Sequence, residues 1–168
     1  HKIMISTNRA GREKQEREEA VWKIAHLESS KKASAWRKIM KFAATSSKVR
    51  ISGRVLREKN IAYFGYSGSF VEFTYTGTYV KAQIDSKSYV PGDSNFDTWV
   101  AVFVNGADEP YARFKLEEGV QEYELYHAER EEETTVRLMK MSEAAFGSFG
   151  ILSFETDDRH GAKPSREL

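Results

Sequence analysis

Two short strings in this sequence hold residue types that hydrolyse esters when a fold brings them together. The first is Gly92-Asp93-Ser94-Asn95, and the second is Asp157-Asp158-Arg159-His160, near the other end of the chain. A serine hydroxyl attacks an ester carbonyl when a histidine accepts its proton and an aspartate orients that histidine. Ser94 and His160 are therefore the first candidates for a nucleophile and its general base.

The surroundings of Ser94 do not fit such a site. The strings resemble the G-D-S and D-x-x-H blocks of the serine hydrolases called SGNH or GDSL enzymes, whose nucleophile follows a buried parallel strand and opens a helix. Ser94 instead follows Ser88-Tyr89-Val90-Pro91 and precedes another predicted strand, and the chain lacks a G-x-N-D block for an oxyanion hole. We interpret the two strings as a turn and a polar tail, and we predict no catalytic residue in this chain.

The remaining ligand-type side chains are dispersed along the chain. Its four histidines lack the spacing of metal ligands, so no metal site and no cofactor are predicted. A structural calcium ion in a loop is the alternative, although no acidic cluster of short spacing supports it. The run from Glu129 to Glu133 is interpreted as the solvated tip of a hairpin. The loop aspartates considered for calcium are Asp93, Asp97, Asp108, Asp157 and Asp158.

Three aromatic residues are the candidates for a binding surface. Tyr63, Tyr66 and Trp99 could form a platform on which sugar rings stack, or they could lie in the core or at an interface between domains. Their residue types suit each of these environments, because an aromatic ring offers both a large apolar surface and a stacking face. The sequence pattern leaves the alternatives open.

The elements that must position these residues are β-strands. From about Arg50 onward, apolar and polar residues alternate with a period of two, which is typical of half-buried strands. Asn105-Gly106 is the strongest hairpin signal, and Thr76-Gly77-Thr78 is interpreted as a turn. With no helical pattern between residues 58 and 156, the chain is predicted to be mainly β, an antiparallel β-sandwich. The predicted strands are 49–57, 61–66, 69–76, 78–85, 98–105, 110–117, 120–127, 134–141 and 146–156.

The sequence before this β-rich part has a helical pattern. From Arg12 to Phe42, apolar residues recur at intervals of three and four, with glutamates early and basic residues late, which suits the helix dipole. Trp22 and Trp36 are expected to dock this segment onto protein, and a helix on a lipid surface is the alternative. We therefore predict three segments. They are a basic helical segment at 1–48, a β-sandwich at 49–156 and a linker at 157–168.

Composition and charge limit the classes of protein that fit. The chain is 40% hydrophobic and 30% charged, as an ordinary soluble protein is, and no apolar run approaches the roughly 20 residues of a membrane span. The absence of cysteine excludes disulfides and leaves the compartment open. Residues 1–57 hold 15 basic and 5 acidic residues, whereas residues 58–168 hold 11 and 20. We interpret this asymmetry as two segments that lie against each other, and predict neither a membrane nor nucleic acid as partner.

The predicted strand Trp99–Val104 is apolar on both of its faces. Alternation separates Trp99, Ala101 and Phe103 from the three valines between them. Only one set can fill the core of a two-layer sandwich, since the outer face of such a sheet is normally wet. We expect the helical segment or a further domain to cover the other set. Without a cover the chain is expected to self-associate.

Four strings of the β-rich part share their order and spacing with a known family. The strings are Phe64-Gly65-Tyr66-Ser67-Gly68-Ser69, Val71-Glu72-Phe73-Thr74-Tyr75-Thr76-Gly77-Thr78, Val102-Phe103-Val104-Asn105-Gly106 and Thr135-Val136-Arg137-Leu138-Met139-Lys140-Met141-Ser142-Glu143. In this order they resemble the N-terminal domain of the second family of carbohydrate esterases. The last string looks like that domain's H-T-V-R-L-x-K-x-T-E strand, with Thr134 in place of the histidine and Ser142 in place of the threonine. The similarity covers about Val49 to Thr156.

The resemblance implies a jelly-roll fold and an accessory role. In the family this domain precedes an SGNH-type catalytic domain that removes acetyl groups from plant polysaccharides such as xylan. The resemblance implies that the nucleophile lies beyond this chain, and no catalytic residue of the family, Ser94 included, can be carried onto a position here. The implied partners are the SGNH hydrolase domain of the same polypeptide and polysaccharide. The alternative is a free-standing carbohydrate- or protein-binding module, and nucleic-acid binding by the basic segment is a more distant hypothesis.

Overall fold

The chain divides into two compact units, residues 1–37 and 38–168. The computed structural model describes residues 10–24, 39–158 and 160–165, and the described part of the first unit is a helix, α1, at residues 10–24. This confirms the N-terminal helical segment. No helix within the described residues is long and apolar enough to cross a membrane. Trp36 lies outside the described residues, so the docking of the helical segment stays a prediction.

The second unit is built from strands. Its described residues form ten strands and one turn of 3-10 helix at Ser94–Phe96, and every strand pairing is antiparallel. The protein is therefore mainly β, as predicted. The strands are β1 (Met40–Ala43), β2 (Arg50–Ser52), β3 (Val55–Glu58), β4 (Ile61–Phe64), β5 (Phe70–Ser88), β6 (Trp99–Val104), β7 (Ala112–Lys115), β8 (Gly119–Lys140), β9 (Gly147–Thr156) and β10 (Lys163–Pro164).

The strands are arranged in two layers. The front layer contains β2 and β10, the first half of β5, the second half of β8, then β6 and β7. The back layer contains β3, β4, β9, the second half of β5 and the first half of β8, with β1 on the same edge of β9 as β4. Because β5 and β8 run through both layers, a single hydrogen-bonded sheet folds over on itself. The result is the predicted antiparallel β-sandwich of jelly-roll type.

Aromatic side chains fill the space between the layers. The ring centre of Phe73 in the front layer lies 4.9 Å from that of Phe154 in the back layer and 5.2 Å from that of Phe42 in β1. The helical pattern that we extended to Phe42 is wrong over 40–43, where β1 pairs with β9. Burial of Phe42 explains this, because burying such a side chain contributes about 2–3 kcal/mol, more than the difference in helix propensity at one residue.

The predicted turns differ in their outcome. Asn105 and Gly106 have positive φ angles of 53° and 71°, and Ala107 N–H donates to the Val104 carbonyl at 3.2 Å, which confirms the turn after β6. The predicted strand 49–57 is interrupted, because Gly53 at φ 98° turns the chain between β2 and β3.

No turn forms at Thr76-Gly77-Thr78, and that prediction is wrong. β5 continues without interruption through these residues, and they mark the point at which it passes from the front layer to the back layer. The register between β5 and β8 slips here, so that Thr78 alone lies opposite residues 128–131. Such a bulge bends the strand without ending it. The glycine therefore signals a bend within one strand and not a connection between two strands.

The carboxylate of Asp157 holds this bend in place. Its Oδ1 accepts hydrogen bonds from the backbone N–H groups of Thr78 at 2.7 Å and Tyr79 at 3.3 Å, and its Oδ2 accepts from the Thr78 hydroxyl at 2.5 Å. Thr78 has no partner in the β5–β8 register, which resumes at Tyr79↔His127. A Cβ atom at Gly77 would collide with the same carboxylate, so the position requires glycine.

The acidic run lies in the interior of β8. The sequence predicted two strands joined by a tip at Glu129–Glu133, but β8 is one strand that bulges opposite Thr78. The four glutamates of the run are exposed, as expected of a solvated segment. Period-two alternation is lost at a bulge, and for this reason the sequence pattern of the run is that of a connection between two strands.

The described part of the predicted linker 157–168 packs on the sandwich. Asp157 and Asp158 are buried, and the Asp158 carboxylate accepts a hydrogen bond from Thr76 N–H at 2.9 Å. Farther along, β10 pairs with β5 at Lys163↔Thr74. Residues 157–158 and 160–165 therefore belong structurally to the β unit.

We predict that Asp157→Ala destabilises the β unit by about 2–3 kcal/mol, because it leaves buried N–H groups without an acceptor. Asp108→Ala, in an exposed loop, is the matched control and should change the free energy of unfolding by less than about 0.5 kcal/mol. Chemical denaturation followed by tryptophan fluorescence measures both. Equal stabilities of the two variants would show that the bend does not depend on this carboxylate.

Candidate functional site

The outer face of the front layer has an apolar end and a polar end. Strand register sets this division, because Ala101 pairs with Met139 while Glu72 pairs with Arg137 and Thr74 with Thr135. We define the apolar end as Trp99, Ala101, Phe103, Met139 and Met141. We define the polar end as Arg50, Glu72, Thr74, Thr135, Arg137, Lys163 and Ser165.

The strand β6 supplies the apolar end and part of the core. Val100 and Val102 are fully buried in the core and Val104 packs against it, so the valines fill the sandwich as one face of this strand was predicted to do. On the outer face Ala101 is buried, whereas Trp99 is 41% exposed. Coverage of this outer face by another domain stays a prediction.

A buried lysine fixes the turn beneath Trp99. The ammonium group of Lys140 donates to the backbone carbonyl oxygens of Ser142 at 2.7 Å and Glu143 at 3.1 Å. The backbone N–H of Trp99 donates to the Ser142 hydroxyl at 3.2 Å. Burial lowers the pKa of the Lys140 amine, and the nearby Glu143 charge opposes that effect. The turn that carries Ser142 is therefore anchored from inside the protein, and the backbone of Trp99 is hydrogen-bonded to it.

The polar end is organised around the carboxylate of Glu72. Arg137 Nε donates to its Oε2 at 2.6 Å, and Arg50 Nη2 donates to its Oε1 at 2.8 Å. The Ser165 hydroxyl also donates to Oε1, and it accepts from Arg50 Nε at 3.0 Å. The Glu72 side chain is only 8% exposed, so its negative charge is stabilised by these hydrogen-bond partners and not by water.

Stacking on Phe70 holds the two guanidinium groups. The guanidinium carbon of Arg137 lies 3.9 Å from the centre of the Phe70 ring, and that of Arg50 lies 5.2 Å away. Burial raises the pKa of Glu72, but the hydrogen bonds from Ser165, Arg50 and Arg137, together with the Arg137 charge, bring it below its ordinary value. Glu72 is therefore ionised at neutral pH.

A groove of about 990 Å³ runs over the polar end. Besides the cluster on Glu72, its walls carry the hydroxyls of Thr74 and Thr135, whose oxygens lie 2.7 Å apart, and the turn at Asn105-Gly106. At the rim, Lys163 pairs with Glu133 at 3.3 Å. The groove is thus lined mainly by groups that donate or accept hydrogen bonds.

The three aromatic candidates lie in two separate places. Trp99 lines a groove of about 460 Å³ next to the 3-10 turn, together with Arg113 and Met141. Tyr63 and Tyr66 line a groove of about 610 Å³ at the β3–β4 edge of the back layer. Both tyrosines are partly exposed, at 36% and 52%, so neither is a core residue. The structure therefore brings the two tyrosines together and leaves Trp99 apart from them.

Ser94 and His160 do not form a catalytic pair. Ser94 is exposed in the 3-10 turn, where the Asp93 side chain accepts a hydrogen bond from Asn95 N–H and caps the turn. His160 lies in the tail, where its backbone N–H donates to Asp158. Among the described residues, no histidine side chain hydrogen-bonds to a serine. Ser94 thus lies in a turn, as interpreted, but the second string is not a free polar tail, because Asp157 and Asp158 are buried and hydrogen-bonded to β5.

Metal-ligand geometry does not occur in the described part of the chain. No three histidine, aspartate or glutamate side chains of residues 10–24, 39–158 and 160–165 are grouped so that they could hold an ion. Of the aspartates considered for calcium, Asp157 and Asp158 instead accept hydrogen bonds from backbone N–H groups.

Sequence reasoning missed the Glu72 cluster. Arg50 and Ser165 are 115 residues apart, and neither forms a motif with Glu72 or Arg137. Alternation could have placed Glu72 and Arg137 on outer faces, but only the pairing of β5 with β8 makes them neighbours. The available signal was that both residues lie in strings that carry the family resemblance.

Comparison with known proteins agrees with this architecture. The family model described as carbohydrate esterase 2 N-terminal matches residues 51–165. Among curated protein sequences, none matches the chain. Three solved structures illustrate the fold that the chain shares.

A family two carbohydrate esterase from Cellvibrio japonicus is 22% identical over 78% of this chain and 36% of its own, with a TM-score of 0.67. An acetyl xylan esterase from the rumen bacterium Butyrivibrio proteoclasticus is 22% identical over 77% of this chain and 34% of its own, with a TM-score of 0.64. A salicylyl-acyltransferase from a tetracycline biosynthetic pathway is 10% identical over 77% of this chain and 42% of its own, with a TM-score of 0.61. The chain spans about a third of the length of the two esterases, and at these identities the similarity concerns the fold alone.

We predict that Glu72→Gln lowers the free energy of unfolding by about 3 kcal/mol at neutral pH, because it leaves two arginines without their carboxylate. Because the folded-state pKa of Glu72 is below 4.5, its stabilising contribution is complete above pH 4.5 and is lost as the pH falls through the folded-state pKa. The variant should therefore lose less stability than the wild type on acidification. Urea denaturation at several pH values measures this difference.

Glu122→Gln is the control for this experiment, because Glu122 is 60% exposed and lies 3.6 Å from Lys81. It should change stability by less than about 1 kcal/mol. If the Glu72 and Glu122 variants had the same stability at neutral pH and the same response to acid, the cluster would not stabilise the fold.

Proposed function

The chain belongs to the carbohydrate esterase 2 N-terminal family, and we propose that it is the non-catalytic accessory domain of a carbohydrate acetylesterase. In this proposal it packs on an SGNH-type hydrolase domain of the same polypeptide and forms one wall of the cleft that receives a polysaccharide such as xylan. The observation that carries the proposal is the family match over residues 51–165 in a unit whose Ser94 lies in an exposed turn.

The apolar end of the front layer is the proposed surface for the hydrolase domain. It contains Trp99, which is 41% exposed and whose backbone N–H donates to a turn anchored on Lys140. A partly exposed tryptophan is typical of the residues that dominate interfaces. Ser165 lies on the same outer face, at its polar end.

A free-standing carbohydrate-binding module is the second candidate. The back-layer groove supports it, because Tyr63 and Tyr66 line that groove and the guanidinium carbon of Arg54 lies 5.7 Å from the centre of the Tyr66 ring. This candidate requires that neutral xylo-oligosaccharides bind to the chain alone and that Tyr63→Ala removes the binding. The accessory-domain proposal requires an SGNH domain encoded downstream of residue 168.

The chain alone is expected to show no esterase activity, because Ser94 has no histidine to activate it among the described residues. Hydrolysis of an activated acetyl ester by the wild type and by Ser94→Ala should equal the rate without protein. Turnover that disappears in the Ser94→Ala variant would overturn the assignment as non-catalytic.

Trp99→Ala should weaken association of the chain with the separately produced hydrolase domain by about tenfold or more. Tyr63→Ala, on the back layer, should leave the affinity unchanged and so serves as the matched aromatic control. Isothermal titration calorimetry measures both, after thermal denaturation has established that the variants are folded. Weakened association in the Tyr63 variant alone would place the interface on the other layer.

A further inference from the structure

We propose that the groove over the polar end of the front layer binds a saccharide that carries a carboxylate, with Arg137 as the residue that holds the carboxylate. The inference rests on the proposed contact with polysaccharide and adds the chemical class of sugar, a uronate. The groove is distinct from the aromatic groove at Tyr63 and Tyr66.

Arg137 presents two parallel donors from a fixed position. Its Nε donates to Glu72, and its guanidinium carbon lies 3.9 Å from the centre of the Phe70 ring. Within the described part of the chain, its two terminal NH₂ groups have no hydrogen-bond partner, and its side chain is 33% exposed. The end of a guanidinium group binds a carboxylate through two parallel hydrogen bonds. Glu72 and Phe70 thus orient Arg137 for a second carboxylate, which no described residue supplies.

The groups around Arg137 suit the hydroxyls of a sugar. Asn105 Oδ1 accepts from Thr135 N–H at 2.9 Å, which orients the side-chain amide and leaves its nitrogen as a donor. The hydroxyls of Thr74 and Thr135 hydrogen-bond to each other, so one of the two keeps a proton to donate. The groove therefore offers donors and acceptors at several points along its length.

The charge of the groove favours an anionic ligand of low charge. Its lining has three cationic side chains, Arg50, Arg137 and Lys163, against the carboxylates of Glu72 and Glu133. The net charge of one positive unit suits a single carboxylate, whereas the two glutamates oppose a highly charged polymer. Lys163 and Glu133, each about two-thirds exposed, pair with each other at the rim.

A saccharide fits this groove better than an acidic peptide does. Peptides often bind by adding a strand to a free sheet edge. The edge of β5 at this groove is already occupied by β2 and β10, which pair with residues 70–74. The hydrogen-bonding groups that remain belong to side chains spread across the sheet face, which suits a ring bearing several hydroxyls.

The test compares two oligosaccharides of the same length on the whole chain, a xylo-oligosaccharide with one glucuronic acid substituent and the unsubstituted xylo-oligosaccharide. Isothermal titration calorimetry should give an affinity about tenfold higher for the acidic one. Arg137→Lys, which keeps the charge and removes the paired donors, should abolish most of this preference. Asn105→Asp keeps the acceptor for Thr135 N–H and replaces the donor by a carboxylate, and it should have the same effect. Arg57→Lys on β3 is the matched control and should retain full affinity.

Each alternative outcome overturns the inference in a recognisable way. Equal affinity for both oligosaccharides, or an acidic preference that survives both groove variants, removes the groove as a uronate site and leaves the accessory-domain proposal intact. Binding of a glutamate-rich peptide that is stronger than that of the acidic oligosaccharide and is lost in Arg137→Lys would identify a protein partner instead. The Asn105 variant decides the result if circular dichroism shows that Arg137→Lys is unfolded.

Discussion

The bend that β5 and β8 share is the constraint on which the rest of the structure depends. Where these two long neighbouring strands pass from one layer to the other, their register slips, and the slip leaves Thr78 without a partner in β8. The Asp157 carboxylate accepts hydrogen bonds from the backbone N–H groups of Thr78 and Tyr79, and Gly77 leaves room for it. This carboxylate belongs to the last part of the β unit and so ties that part to the bend. The chain then returns to the front layer, where β10 pairs with β5.

The candidate site follows from this arrangement. The first half of β5 and the second half of β8 are neighbours in the front layer, so Glu72 faces Arg137 across the pair. The returning chain adds Ser165 and β2 adds Arg50, and both hydrogen-bond to the network around Glu72. The cluster gathers residues from four strands or segments, and its geometry depends on the bend that brings them to one face.

The sequence predicted the faces of the strands better than their lengths. Alternation correctly assigned the valines of β6 to one face, and Asn105-Gly106 marked a real turn, because both signals are local. Gly77 was misread as a turn, because a glycine within a bulge and a glycine in a hairpin look alike until the partner strand is known. The Glu72 cluster was out of reach for the same reason, since its members meet only through long-range pairing. The family resemblance identified the fold but not this site.

In the proposed function, the outer face of the front layer is the functional surface and meets the hydrolase domain at its apolar end. Hydroxyl-radical footprinting of the isolated chain and of the two-domain protein tests it directly, because tryptophan, methionine and tyrosine side chains report their own exposure to solvent. We predict that oxidation of Trp99, Met139 and Met141 slows in the two-domain protein, whereas that of Tyr63 and Tyr66 does not change. Slower oxidation of the two tyrosines with unchanged oxidation at Trp99 would contradict the account.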